Sequence, residues 1–342
     1  MSDAVRWGIL GTGKIARILA GALAESRDGR LVAVGSRDAV RSEAFATEFG
    51  VDRHHGGYAE LVRDDGVDLV YVATHHPWHR EWAVAAAESG KHVLCEKPMA
   101  VRADDAVVIV DAARRNDVFL LEAFAYRSHP QTHRLVELLR GGAIGDVRMI
   151  DAVFGYDAGP DPSNYLMVHA LAGGSILDVG CYTSSMAHLV AAAATGADVV
   201  ETSDVAAAAT IGPTRVDHST AATLAFPGDI LARVACSIQA NLESSLRIDG
   251  SEGRITVASP WLPGRIGSTA TIVLERWGSE REEIDVPTEA EVYTIEVDAV
   301  NAMITAGERS PSTMTWEDSL ANMRTLDRWR RAIGLRYEGD SA

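Results

Sequence analysis

Two short stretches of this 342-residue chain hold residues that chemistry can use. In "GILGTGKIA", Gly11, Gly13 and Ala16 keep the spacing G-x-G-x-x-A, directly after an apolar run and at the start of a helical pattern. Gly11 permits a tight turn, Gly13 lets the backbone approach a pyrophosphate, and Ala16 allows close helix packing. The helix start offers unpaired amides and a positive dipole end to an anion. Thr12, Lys14 and Ile15 therefore join the two glycines as candidate cofactor contacts. In "VLCEKPMA", an apolar run stops on Glu96-Lys97-Pro98. Burying a charge is costly unless it is paired or used. Proline removes a backbone donor and restricts the residue before it. Lys97 at such a strand end is pushed out of the core into a ligand crevice, with Pro98 fixing the backbone, through a cis bond if one forms. The plain alternative is a loop lysine paired with Glu96.

Two further groups refine the cofactor. "VAVGSRD" places Ser36 and Arg37 where a site for NAD usually offers a carboxylate to the ribose. A hydroxyl and a guanidinium suit a 2′-phosphate, and Arg41 lies one turn on. Asp38 is the complication: it could bind a ribose, but the cap of the next helix is the preferred reading. The pairing favours NADP, with NAD as the alternative. "THHPWHREW" carries His75 and His79 four residues apart, a spacing that binds metal on a helix. Pro77 starts the helix only there, no carboxylate stands at a suitable spacing, and no metal is assigned.

The elements that must hold these residues follow from periodicity. Up to about residue 125, short apolar runs alternate with helical patterns: "VRWGILG", "RLVAVGS", "VDLVYVAT", "KHVLCE" and "VFLLEAF" read as five strands. Strands that are apolar throughout, separated by helices, argue for a parallel sheet covered on both faces. That is a doubly wound α/β Rossmann domain, whose ligands bind at the carboxyl edge of the sheet. Glu122 and Arg127, in "LLEAFAYRSHP", end the fifth strand at that edge. His129 and His133 read as the start of a solvated helix face. The later runs "DVAAAATIG", "STAATLAF", "DILARVACSIQA", "SLRIDGSEGRITVAS" and "ATIVLERW", divided by Pro227-Gly228, Asp249-Gly250 and Glu252-Gly253, read as an antiparallel sheet in an α+β domain. Two helical patterns, 293–307 and 315–333, close the chain. The division is 1–125 and 126–342, with the C-terminal helix expected to return to the first domain.

Bulk composition narrows the partners. With 48 acidic and 32 basic residues the formal net charge is −16, which disfavours phosphate backbones and anionic lipid. No apolar run approaches a membrane span and no signal-peptide layout opens the chain. Cys95, Cys181 and Cys236 sit in apolar surroundings, as reduced thiols of a cytoplasmic protein do. The first residues and the tail "YEGDSA" are expected to be disordered.

"GILGTGKIA", "VATHHPWH", "GKHVLCEKPMA", "LLEAFAYRSHPQ" and "GGSILDVGCY", in that order, resemble the glucose–fructose oxidoreductase / inositol dehydrogenase / MocA (Gfo/Idh/MocA) family along nearly the whole chain. The EKP triplet and Asp-x-Gly-x-Tyr are its most specific marks. "HHPWH", "CEKPM" and "FLLEAFAYR" look closest to the dimeric dihydrodiol dehydrogenases, which are also NADP-dependent xylose dehydrogenases. The resemblance implies a Rossmann domain, an open and mostly antiparallel sheet domain, a sugar, polyol or cyclic diol as substrate, and hydride transfer to or from nicotinamide. It implies that Lys97 lies beside the nicotinamide, that Asp178 faces substrate and that Tyr182 is the acid/base. Thr74, His75, His76 and His79 become cofactor contacts, with Glu96, Lys97 and Pro98; Glu122 and Arg127 contact cofactor or substrate, or form an ion pair at the domain junction.

The chemistry is consistent with those roles. Oxidising an alcohol needs a base for the hydroxyl proton while hydride leaves carbon. A phenol titrates near pH ~10 and needs help near neutrality, which a lysine cation supplies. Asp178 and Tyr182 share a face if their segment is helical. Many relatives carry a Trp-Arg pair upstream of Gly173-Gly174; here the stretch reads "SNYLMVHALAGGS", and Asn164, Tyr165 or His169 stand in as substrate contacts. The small apolar face of runs such as "LARVACSIQA", with the family's habit of pairing through this sheet, points to a homodimer or tetramer. The reading from another class is a non-catalytic NADP(H)-binding sensor. A third is an enzyme that recycles its cofactor without releasing it.

Overall fold

The computed structural model describes residues 4–264, 269–288 and 290–340. Two compact units divide the chain, and they do so discontinuously. The first runs through Ala100, resumes over Asp104–Ser128 and takes in Ala290–Trp316; the second holds the rest.

In the first unit, β1 (Val5–Leu10), β2 (Gly29–Gly35), β3 (Arg53–His55), β4 (Leu69–Val72), β5 (His92–Glu96) and β6 (Leu120–Ala123) form a parallel sheet in the order β3-β2-β1-β4-β5-β6. Five of these are the apolar runs of the sequence. The sixth, β3, is the polar triplet "RHH" at the sheet edge, too short and too wet to show a strand period. Between the strands lie α1 (Lys14–Glu25), α2 (Ala39–Phe49), α3 (Tyr58–Val62), α4 (His79–Glu88) and α5 (Ala103–Arg115). β4 and β6 are buried along their whole length, as a sheet with two covered faces requires. Strand order reverses between β1 and β4, which opens a crevice at their carboxyl ends.

The second unit begins with α6 (Pro130–Arg140), β7 (Val147–Gly155) and α7 (Cys181–Thr195). Then come β8 (Asp204–Ile211), β9 (Asp217–Phe226), β10 (Ile230–Ser237), β11 (Ser245–Gly250), β12 (Gly253–Val257), β13 (Ala270–Arg276) and β14 (Glu282–Val286). The sheet order is β14-β13-β12-β11-β7-β10-β9-β8, antiparallel except for the parallel pair β7 and β10. The strands alternate: Leu224, Ala232, Val234, Leu246 and Ile248 face the buried side, while Ala221, Thr223, Leu231 and Arg233 face out. Of the last two helices, α8 (Val292–Thr305) lies in the first unit, and α9 (Trp316–Ala332) lies in the second apart from its first residue.

Two local expectations fail. His129 is fully buried, because its Nδ1 accepts from the Gln131 amide (3.1 Å) and caps α6; only His133 is exposed. In the tail the Tyr337 ring is buried with its hydroxyl donating to the Gly173 carbonyl, and Arg330 pairs with Asp340 at 2.7 Å, while Met1–Asp3 and Ser341–Ala342, for which disorder was also expected, lie outside the described residues. A tail with a polar composition stays down when its one aromatic finds a core slot.

Candidate active site

In the first unit the glycine turn sits at the carboxyl end of β1. Gly11 has φ +115°, and a Cβ there would lie 2.6 Å from the Ala73 carbonyl oxygen. Only glycine takes that conformation without strain. The turn is pinned on both sides, by Gly11 N–H to the Gly35 carbonyl (2.9 Å) and Ala73 N–H to the Leu10 carbonyl (2.9 Å). Gly13 opens α1 with no side-chain cap, and the space around its missing Cβ is clear to 4 Å. Ala16 is fully buried beneath. Open amides on a helix start, beside bare backbone, fit the pyrophosphate of a dinucleotide. Thr12, Lys14 and Ile15 surround that opening.

At the end of β2, Ser36 is buried and its Oγ accepts from the Asp38 amide (3.2 Å). Asp38 caps α2, accepting from the amides of Val40 (3.0 Å) and Arg41 (3.3 Å). Its other oxygen lies 3.5 Å from the exposed Arg41 guanidinium. Arg37 lays its guanidinium over the Trp78 ring, 4.2 Å from the centroid.

The histidine loop follows β4. His75 is half-buried, and burial with the Arg37 charge lowers its pKa. His76 is buried and packs edge-on to His79. His79 is a structural pillar: its Nδ1 lies 3.0 Å from the Pro98 carbonyl and its Nε2 3.0 Å from the Thr74 carbonyl. Burial lowers its pKa to about 4 although both carbonyls favour the cation, so the ring is neutral and donates to one of them. The histidine that best matched a metal spacing thus ties the Thr74 loop to the Lys97–Pro98 turn, which is cis.

That turn is braced by acids. Glu96 is buried, accepts the Tyr71 hydroxyl, and lies 3.2 Å from the Lys97 amide. Glu122, also buried, accepts the Met99 amide at 2.7 Å. Lys97 itself is partly exposed, and its charge reaches His79. Arg127 is buried, with its guanidinium 5.9 Å from the Tyr126 ring. Tyr71 and Glu296 went unnoticed in the sequence. Burial and the Glu96 charge push the Glu296 carboxyl well above the usual carboxylate range. A tyrosine inside an apolar strand and a glutamate on a helix carry no sequence signal until folding sets them against Glu96.

In the second unit, Asp178 falls in a π-turn, Ile176–Gly180, that leads into α7 and Tyr182. Such turns are rare and cluster at functional sites. Asp178 accepts the Tyr156 hydroxyl at 2.6 Å. Tyr182 packs edge-on to Phe154 (5.4 Å between centroids) and to Trp261 (6.2 Å), which stack on each other. Phe154 and Tyr156 are two apart on extended chain, so Asp178 and Tyr182 meet neighbours on one face. Asp217 holds the start of this segment: one oxygen accepts both the Ser175 hydroxyl and the Ile176 amide, each at 2.7 Å. Gly174, at φ +110°, leaves it room, since a Cβ there would collide with the carboxylate. Burial raises the Asp217 pKa to about 6.

Of the three stand-in substrate contacts, Tyr165 is exposed, Asn164 caps a short turn by accepting from the Leu166 amide (3.1 Å), and His169 lies 2.9 Å from the Arg336 carbonyl. Tyr156, Phe154, Trp261 and Asp217 were missed, because each lies far in sequence from the motif it supports. Among the described residues, no group of three or more His, Cys, Asp or Glu side chains is placed to hold a metal ion.

Residues 5–124 match the oxidoreductase family with NAD-binding Rossmann fold, and residues 132–256 match the GFO/IDH/MocA C-terminal domain. The trans-1,2-dihydrobenzene-1,2-diol dehydrogenase of Mus musculus is 32% identical over 98% of this chain and 99% of its own. The D-xylose 1-dehydrogenase (NADP(+)) 2 of Haloferax volcanii is 32% identical over 94% and 95%. Among solved structures, KijD10, a 3-ketoreductase from Actinomadura kijaniata in complex with NADP and TDP-benzene, superposes with a TM-score of 0.86 at 26% identity, covering 97% of this chain and 98% of that one. With its glycine turn, EKP turn and Asp-x-Gly-x-Tyr segment each in the fold such a site demands, the chain belongs to the Gfo/Idh/MocA oxidoreductase family.

Proposed function

We propose that this oxidoreductase prefers NADP and moves hydride between nicotinamide and a hydroxyl-bearing carbon of a sugar, polyol or cyclic diol. The observation that carries the reading is that two relatives spanning nearly the whole chain are named for a cyclic diol and for D-xylose. Both compounds have adjacent hydroxyl-bearing carbons. NADP preference is supported by Ser36 and Arg37 at the end of β2 and by Asp38 being engaged with helix amides and Arg41. The bound nicotinamide supplies or accepts the hydride. In our reading Tyr182 takes or returns the hydroxyl proton, Lys97 favours its phenolate, and Asp178, steadied by Tyr156, orients the substrate hydroxyl. The test is to follow NADPH absorbance with a panel of aldoses, ketoses, polyols and cyclic diols, supplying each nucleotide. Turnover with vicinal diols or sugars and a preference for NADP are expected. Tight nucleotide binding with no turnover across the panel sinks the catalytic reading in favour of a sensor.

The outward face of the second sheet suits a second copy of the chain. Ala206, Ala208, Ala221 and Leu231 are exposed there beside Arg233, which pairs with Asp151 at 2.6 Å. A homodimer or tetramer is expected in light scattering, and a monomer at micromolar concentration counts against it. The protein is expected to work in the cytoplasm; none of the described helices is long and apolar enough to cross a membrane.

A further inference from the structure

Arg37 and Trp78 come from loops that follow β2 and β4, the two strands flanking β1. Their stack therefore bridges the carboxyl end of β1, where the glycine turn lies. Several features fix the indole. Pro77 restricts the turn before it, the Trp78 amide donates to the His75 carbonyl (3.0 Å), and the His75 ring packs 5.4 Å away. The guanidinium, in contrast, sits on an exposed side chain with many rotamers. The nearest acid in sequence, Asp38, has its carboxylate on helix amides and on Arg41. Stacking occupies the flat face of a guanidinium and leaves its in-plane N–H donors available to an anion.

We propose that Trp78 is a specificity-determining residue: its indole holds the Arg37 guanidinium in place to receive a 2′-phosphate, so the discrimination between phosphorylated and plain ribose depends on Trp78 through Arg37. The proposal rests on the reading that a dinucleotide binds at the Gly11–Gly13 turn. It makes Trp78 a positioning residue. An immobilised guanidinium loses less conformational freedom on binding than a waving one, and that gain exists only for the ligand carrying the extra phosphate.

The probes are adenosine 2′,5′-bisphosphate and AMP, titrated calorimetrically into the full chain without substrate. The wild type should bind the bisphosphate more tightly than AMP. Trp78→Ala should weaken the bisphosphate roughly 5- to 20-fold and AMP by less than about threefold, as expected for loss of a stacked cation's placement. Trp78→Phe keeps an aromatic face and should retain most of the discrimination, which guards against a folding artefact. In an Arg37→Ala background, Trp78→Ala should change bisphosphate affinity no further. Equal weakening of both probes, unchanged discrimination, or additive effects in the double variant would overturn the inference while leaving the nucleotide site intact. A wild-type protein that binds neither probe overturns the nucleotide reading and this inference with it.

Discussion

The two units place their chemistry in opposite ways. The first sets its candidate residues with backbone: a bare glycine turn, open helix amides and a lysine at the carboxyl edge of a sheet covered on both faces. Its supporting side chains, His79, Glu96 and Glu122, hold main-chain atoms of neighbouring loops. The second unit sets its candidate residues with side chains: a π-turn carrying Asp178, a helix carrying Tyr182, an aromatic wall of Phe154 and Trp261, and Asp217 clamping the start. In our proposal the first unit recognises the cofactor through backbone, which sequence drift barely touches, and the second recognises the substrate through side chains, which drift can replace. The departure at "SNYLMVHALAGGS" falls on the second side of that divide.

The largest effect should come from removing one of the two residues proposed to handle the proton. Tyr182→Phe and Lys97→Ala should each cut turnover by ~10²–10⁴ while nucleotide binds with nearly wild-type affinity. Their combination should cost little more than the worse single change, since groups acting as a unit are not additive. Near-normal turnover in both single variants would break the assignment.

A smaller effect tests the clamp. Folding raises the Asp217 pKa from 3.8 to about 6, so the native state holds this proton more tightly than the unfolded chain. Its stabilising contribution is present below about pH 4 and fades as pH rises through about 6. Asp217→Asn should flatten that part of the curve of melting temperature against pH, and a disordered Ser175–Ile176 start should lower kcat more than it raises KM. A variant with an unchanged pH slope would remove Asp217 from the account. The smallest effect on chemistry should come from the sheet face: Leu231→Asp should shift the light-scattering mass towards monomer with turnover changed by less than about threefold, because exposed positions away from a site are usually tolerant.

Much of the first unit was legible because its signals are local. Gly11, Gly13, Lys97 and Asp38 each have a backbone reason confined to a few neighbouring residues, and the apolar runs fixed five of six strands. β3 escaped because three polar edge residues bear no period. In the second unit the pair Asp178 and Tyr182 came from a motif, while the partners that orient them lie on β7 and just after it, on β9 and in the loop before β13. Polar residues such as Tyr156 and Asp217 look ordinary until a fold buries them, for the cost that makes them meaningful appears only away from water.

By itself, then, the chain's sequence determined the layered class, the nucleotide turn and the order of the motifs, because these depend on spacing along the backbone. Tertiary structure alone decided that His79 is a brace instead of a ligand, that Arg37 lies on Trp78, that His129 is buried, and that the polar tail is anchored by Tyr337. The Arg37–Trp78 and Tyr337–Gly173 contacts join distant segments, and the energy of such contacts exists only once folding has excluded water from between them.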